Sequence, residues 1–252
     1  MTTPTRTSLI QGASRGIGLE MVRRVLDLEP DSQVIATCRN PDSSAELSSL
    51  AAEHPHRLRV LAMDVTEENT IARAAERVAT HTGELVRLVN VAGVLHGPTF
   101  SPEKKLGHID PEALRQVFAV NAFGPLLVAK HFFEFLRHDQ RSVFASLSAR
   151  VGSISDNRLG GWYAYRGSKA AQNMFTKTLS IELGRVCPRA IVIGLHPGTV
   201  DTELSKPFQR GVPAARLFEP ARAAADLLAV MGSVTPDQTG KVFDFRGDEI
   251  EP

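Results

Sequence analysis

Short runs that are apolar throughout alternate along this chain with longer stretches in which apolar positions recur every three or four residues. "TSLIQG" is the first such run, followed by the helix-like "RGIGLEMVRRVLDLEP". "QVIATC" and "LRVLAMDV" repeat the pattern. The helix after the first, "SSAELSSLAAEH", opens on a Ser43-to-Glu46 capping-box spacing, and the helix after the second, "EENTIARAAERVATHTG", is closed by Gly83. Then come strand "VRLVNVAG", a long helix from about Pro111 to Arg137, strand "SVFASLS" and a helix from about Gly161 to Gly184. Strand "AIVIGLH", helix "PARAAADLLAVMG" and strand "GKVFDF" complete the series. Strands apolar along their whole length are buried on both faces, so helices must cover both sides of a parallel sheet. With right-handed crossovers, this predicts an α/β fold: a single-domain, Rossmann-type doubly wound sheet of about seven strands flanked by helices.

Composition narrows the partners. The 252 residues carry 29 basic and 28 acidic side chains, a net charge of +1 with no basic stripe, which argues against nucleic acid. Two cysteines, Cys38 and Cys187, make neither a disulfide framework nor a metal site, and the eight histidines lack zinc-like spacing. No metal is expected. The N-terminus has no long apolar region and no segment is long enough to span a membrane, so a cytoplasmic protein is the expectation.

The first strand runs into "QGASRGIG", with Gly12, Gly16 and Gly18. Glycines at a strand-to-helix turn let backbone approach a pyrophosphate, which a helix N-terminus holds with free N–H groups and its positive dipole end. Further on, the chain shows "NVAG" (Asn90 to Gly93) after the fourth strand, Asn121 inside the long helix, Tyr165 and Lys169 as Y-x-x-x-K, and "HPGTVDT" after the sixth strand. In this order, and over essentially the whole length, these motifs resemble the short-chain dehydrogenase/reductase family. "SARVGSISDNRLGGWYAYRGSKAA" is most similar to its C-factor and Sniffer-type carbonyl reductase subgroup. Gln11 and Val91 depart from the family's usual threonine and asparagine, at structural positions.

The resemblance implies one domain over residues 1–252, with a dinucleotide-binding half to about residue 110 and a catalytic and substrate half beyond it. Gly12, Ser14, Arg15, Gly16, Ile17 and Gly18 would cradle the pyrophosphate. Asp64 and Val65 would meet the adenine, Asn90, Ala92 and Gly93 the adenosine half, and Pro197, Val200 and Thr202 the nicotinamide carboxamide. A small carbonyl or alcohol substrate and a homodimer built through the fourth and fifth helices are further implications. Residues 199–218 would roof the substrate pocket, with Leu204, Phe208 and Leu217 offering apolar contacts and suiting an apolar aldehyde, ketone or quinone.

The chain's only tyrosines, Tyr163 and Tyr165, both precede Lys169. A free tyrosine titrates near about pH 10, and a neighbouring ammonium would lower that value by stabilising the phenolate. Positions four apart on a helix differ by about 40° and positions six apart by about 120°. Tyr165 is therefore the expected proton donor with Lys169 as its modulator; the resemblance further implies that Lys169 binds the ribose and that Asn121 supports the proton relay. Tyr163 and Trp162 are left to line the substrate mouth or pack at the helix start.

Candidates for a carbonyl-polarising serine are Ser146, Ser148, Ser153 and Ser155; the family's usual spacing would fall on Gly152, and the subgroup pattern implies Ser148. His96, just after "NVAG", is a candidate to face the substrate.

Cofactor choice is read from charge. Where a site selective for NAD places an acid after the second strand, this chain has "ATCRNP". Arg39 there and Arg15 in the glycine turn would clamp a 2′-phosphate, so NADP(H) is expected. A nucleotide-binding signalling or redox-sensing protein of C-factor type, with little turnover, is the alternative.

Overall fold

The computed structural model describes residues 6–252, and residues 1–5 of the expected domain lie outside it. In chain order the elements are β1 (Arg6–Gln11), α1 (Gly16–Leu28), β2 (Ser32–Cys38), α2 (Ala45–Glu53), β3 (Leu58–Ala62), α3 (Glu68–Ala79), β4 (Arg87–Asn90) and α4 (Pro111–Phe118). They continue as α5 (Gly124–Phe132), β5 (Ser142–Leu147), α6 (Tyr163–Val186), β6 (Ala190–His196), β7 (Thr199–Val200), β8 (Leu217–Phe218), α7 (Pro220–Ser233) and β9 (Val242–Asp244). Seven strands form one sheet in the order β3-β2-β1-β4-β5-β6-β9, every neighbouring pair parallel. The expected sheet is the one observed.

Alternation along each strand fills two cores. Val143, Ala145 and Leu147 of β5 join Ile10, Ala36 and Ile193 under α1, α2 and α7. Phe144 joins Leu9, Ile35 and Val192 under α3, α5 and α6, with Phe132 fully buried. This burial on both faces is why the strands carry no polar alternation. From β1 the chain builds outward through β2 and β3, then returns to β4 on the other side of β1. Strand order thus reverses between β1 and β4, which opens a crevice at their carboxyl ends.

Three local expectations change. The long helix from about Pro111 to Arg137 is interrupted: Ala119–Phe123 form a π turn, in which the Gly124 N–H donates to Ala119 O five residues back. Pro125 has no N–H to offer the carbonyl of Asn121, so an unbroken α ladder is impossible there. The capping box at Ser43 does not form. Pro41–Ser43 wind into a 3₁₀ turn, Ser43 Oγ donates to Asn40 O, and the helix opens one residue later, at Ala45. The short pair β7–β8 was unforeseen; it pins the two ends of the segment between them, which rises over the crevice.

Candidate active site

The carboxyl ends of the central strands open into one large cleft. On one side stands the turn between β1 and α1. Gly12 (φ +81) and Gly16 (φ +56) lie in the left-handed region that favours glycine, and a Cβ on Gly12 would come within 2.7 Å of the Ala92 nitrogen. Helix α1 begins after Arg15 with no side-chain cap and no acidic residue in its first turn, leaving its N–H groups open towards an anion. Gln11 bridges to the next strand end: its Oε1 accepts the Ala92 N–H at 3.1 Å.

Ser14, Arg15, Gly16, Ile17, Arg39, Asp64, Val65, Ala92, Gly93, Pro197, Val200 and Thr202 all line the cleft with Gly12. Asp64 uses Oδ1 to accept from the backbone N and hydroxyl of Thr66, at 2.9 and 2.7 Å. Arg15 and Arg39 are exposed and neither pairs with a carboxylate among the described residues. Two expected residues stand behind the surface instead. Gly18 packs against Gly12, and Asn90, 2% exposed, donates to Ser146 Oγ at 3.2 Å with its own Oδ1 unpartnered.

Helix α6 supplies the second wall. Its entrance is an unusual run of left-handed residues: Gly160, Gly161 and Trp162 (φ 64, 65 and 53). A tryptophan in that region costs on the order of 1–3 kcal/mol, so neighbours must hold it. The Trp162 N–H donates to the Glu103 main-chain oxygen, and the Ala164 N–H donates to the Glu103 carboxylate at 3.2 Å. Thus clamped, Trp162 sets its ring edge-on to Tyr165 and to Phe208, with centroids 6.2 and 5.1 Å apart. His96 lines the cleft, contacts Phe208 edge-on and pairs through Nε2 with Glu203 O at 3.1 Å. Leu204 and Phe208 face the cleft; Leu217 does not, being held in β8. Tyr163 points away and is 40% exposed.

One turn apart on α6, Tyr165 and Lys169 are both buried, and Lys169 Nζ lies 5.9 Å from the tyrosine ring centroid. Nζ donates to Leu147 O at 2.6 Å and to Gln172 Oε1 at 2.9 Å. Burial pushes the tyrosine up to about 12 and the lysine down to about 7. The shift of the tyrosine is opposite in direction to the expected lowering, and its cause is burial. His196, also in the cleft wall, is pushed down to about 4 by burial, with Arg150 adding to the shift.

Asn121 is fully buried and reads the backbone of Val94 twice: Oδ1 accepts its N–H and Nδ2 donates to its carbonyl, both at 2.8 Å. Nδ2 also reaches Ser168 Oγ, so the side chain ties Val94, the residue just after "NVAG", to α6.

Ser148 has a hydrogen-bond partner on α6. It lines the cleft, but its hydroxyl donates to Asn173 Oδ1 at 2.6 Å, and no hydrogen bond joins it to Tyr165 among the described residues. A serine has one proton to give, and this one is in use. Ser153 is likewise spent in a turn with Ser155 and the Asp156 N–H. Ala149, extended and next in line, brings only a methyl group.

Residues 6–212 match the family described as short chain dehydrogenase. The chain belongs to the short-chain dehydrogenase family. It is therefore an oxidoreductase by family. Among solved structures, it resembles an NADPH-bound carbonyl reductase from chicken fatty liver, with a TM-score of 0.88 and 26% identity over 99% of this chain and 100% of that one. The carbonyl reductase Sniffer of D. melanogaster shares the fold at TM-score 0.86, with 24% identity over 98% and 100% of the two chains. C-signal of Myxococcus xanthus is 35% identical over 170 residues, 67% of this chain and 93% of its own.

Gln172, Asn173 and Glu103 escaped the sequence reading. The first two carried a signal, since polar residues three and four places after Lys169 must share its helical face. Glu103 carried none; it meets α6 from 61 residues away.

Proposed function

We propose that this dehydrogenase is an NADP(H)-dependent carbonyl reductase or alcohol dehydrogenase acting on an apolar aldehyde, ketone or quinone. The observation that carries the reading is the meeting, in one cleft, of the Tyr165–Lys169 pair with a helix N-terminus that has no side-chain cap and two arginines with no carboxylate partner among the described residues. A dinucleotide fits those residues. The α1 N–H groups and the glycine cradle would hold its pyrophosphate, and Arg15 and Arg39 a 2′-phosphate. NADPH in the similar chicken enzyme supports the choice. When bound, the nicotinamide supplies or takes up the hydride.

The protein's own part is proton transfer and orientation. Tyr165, neutral over the physiological range because burial raises it to about 12, gives its hydroxyl proton to the carbonyl oxygen as negative charge develops there. Lys169 stabilises the phenolate left behind and would reach the ribose. Asn121 holds Val94, the residue just after "NVAG", beside them. Ser148 would have to release Asn173 before it could bond a carbonyl oxygen, so its place is to tie the end of β5 to α6. Trp162, Phe208 and Leu204 line the cleft and suit an apolar substrate.

Similarity to C-signal keeps a signalling role in view, and one assay separates the two. Turnover of a carbonyl panel should be found with NADPH and be much weaker with NADH. Replacing Arg15 and Arg39 together by alanine should cut kcat/KM for NADPH by roughly 100-fold and change that for NADH little. Equal kcat/KM for both nucleotides would refute the cofactor assignment, and binding without turnover would favour the signalling role.

A further inference from the structure

We propose that Gln172 is a positioning residue for Lys169, its side-chain carbonyl holding the ammonium in place beside Tyr165. The inference rests on the function proposed above in giving Lys169 a role in the reaction. Gln172 is 2% exposed and every contact of its amide is directed inward. Oε1 accepts from Lys169 Nζ at 2.9 Å, while Nε2 donates to Leu147 O at 3.2 Å, the same carbonyl that accepts from Nζ at 2.6 Å. The three groups close a triangle. Its polarity is fixed by chemistry: a flipped amide would set NH₂ against ammonium and carbonyl against carbonyl, two repulsions in place of two bonds.

This triangle anchors the lysine at the end of β5. A third N–H stays available on the cleft side, where a Cβ built on Gly93 would lie 3.9 Å from Nζ. Without Gln172, a buried ammonium would depend on Leu147 O alone, and the flexible four-carbon stem would be free to swing. The other titratable groups near the lysine do not replace this contact. Tyr165 shares its helix; Arg150, on the turn packed against α6, pairs with Asp156; Glu112 and Arg115 of α4 pair with each other; and His196 projects from β6.

The test is the titration of Lys169 itself, read by NMR of protein carrying ¹³C-labelled lysine, which needs no turnover. Losing an acceptor bonded to the charged form disfavours that form, so Gln172→Leu should move the Lys169 midpoint down by about one pH unit or more. Gln172→Glu should move it up. Gln172→Asn, polar but too short to reach Nζ, should behave as leucine does and covers the case in which the leucine variant does not fold. In turnover, Gln172→Leu should lower kcat at neutral pH more than it alters KM for the carbonyl, and the glutamate variant should restore kcat.

An unmoved midpoint in both the leucine and asparagine variants would overturn the assignment. If the midpoint moves but the wild type reduces no carbonyl, the positioning of Lys169 stands and the proposed function falls. If the wild type is active and the midpoint is unmoved, only the role of Gln172 falls.

Discussion

Lys169 should impose a measurable pH dependence on stability, which Lys169→Met should remove. Burial lowers the lysine from an ordinary 10.5 to about 7 in the folded protein. Between those values the unfolded chain holds a proton that the folded chain does not, so stability must rise with pH across this window. Below about 7 both states are protonated and the cost of burying the charge is present in full. Tyr165 acts in the opposite sense, since its folded value near 12 exceeds the unfolded one, but it affects stability only above about pH 10. Each pH unit over which the two states differ by one proton changes stability by about 1.4 kcal/mol. From pH 7 to 9, allowing for the half-protonated start, the wild type should gain about 2 kcal/mol relative to Lys169→Met. Urea denaturation of nucleotide-free protein at several pH values reads this directly, with the methionine variant cancelling every other titration. Parallel stability curves would refute the reasoning, because they would mean that the folded protein keeps the lysine near its ordinary value.

Two further outcomes follow from the cleft geometry. Tyr165→Phe should lower kcat by about 1,000-fold or more while nucleotide binding, followed by fluorescence titration, stays within a few-fold; Tyr163→Phe should keep most activity. Ser148→Ala should lower kcat by less than about tenfold, because the hydroxyl serves Asn173; a loss near 1,000-fold would put Ser148 on the carbonyl after all.

Much of this was legible because it depends on short-range rules. Strand parity and helical period are local, so the sheet, its two cores and the strand-to-helix glycine turn could be read residue by residue. The choice between Tyr163 and Tyr165 was also local, a matter of angle on one helix, and the buried position of Tyr165 beside Lys169 agrees with it. Short-range rules failed where two of them competed. The Ser43–Glu46 spacing was correct for a capping box, yet Pro41 two residues before Ser43 drew the chain into a 3₁₀ turn and delayed the helix. Pro125 has no N–H for the α bond to Asn121 O, so the long helix must deform there. It widens, by one extra residue in the turn.

The direction of a side chain at the end of a strand is a different problem, because it is decided by whatever packs there. Ser148 lies 25 residues from Asn173, and nothing in "ASLSARVGSIS" says that an amide waits opposite. The consequence reaches the chemistry. At the end of β5, Lys169 and Gln172 bond to Leu147 O and Asn173 takes the next residue's hydroxyl, so three polar side chains of one helix are committed to holding a strand end. The groups expected at the substrate are then engaged differently: Tyr165 faces the cleft with its hydroxyl uncommitted among the described residues, while Ser148 lines the same cleft with its hydroxyl on Asn173. In the proposed function, a tyrosine that gives its proton without a hydroxyl partner depends more heavily on its cation. The geometry of Lys169, and therefore of the amide that holds it, thus bears directly on the reactivity of the tyrosine.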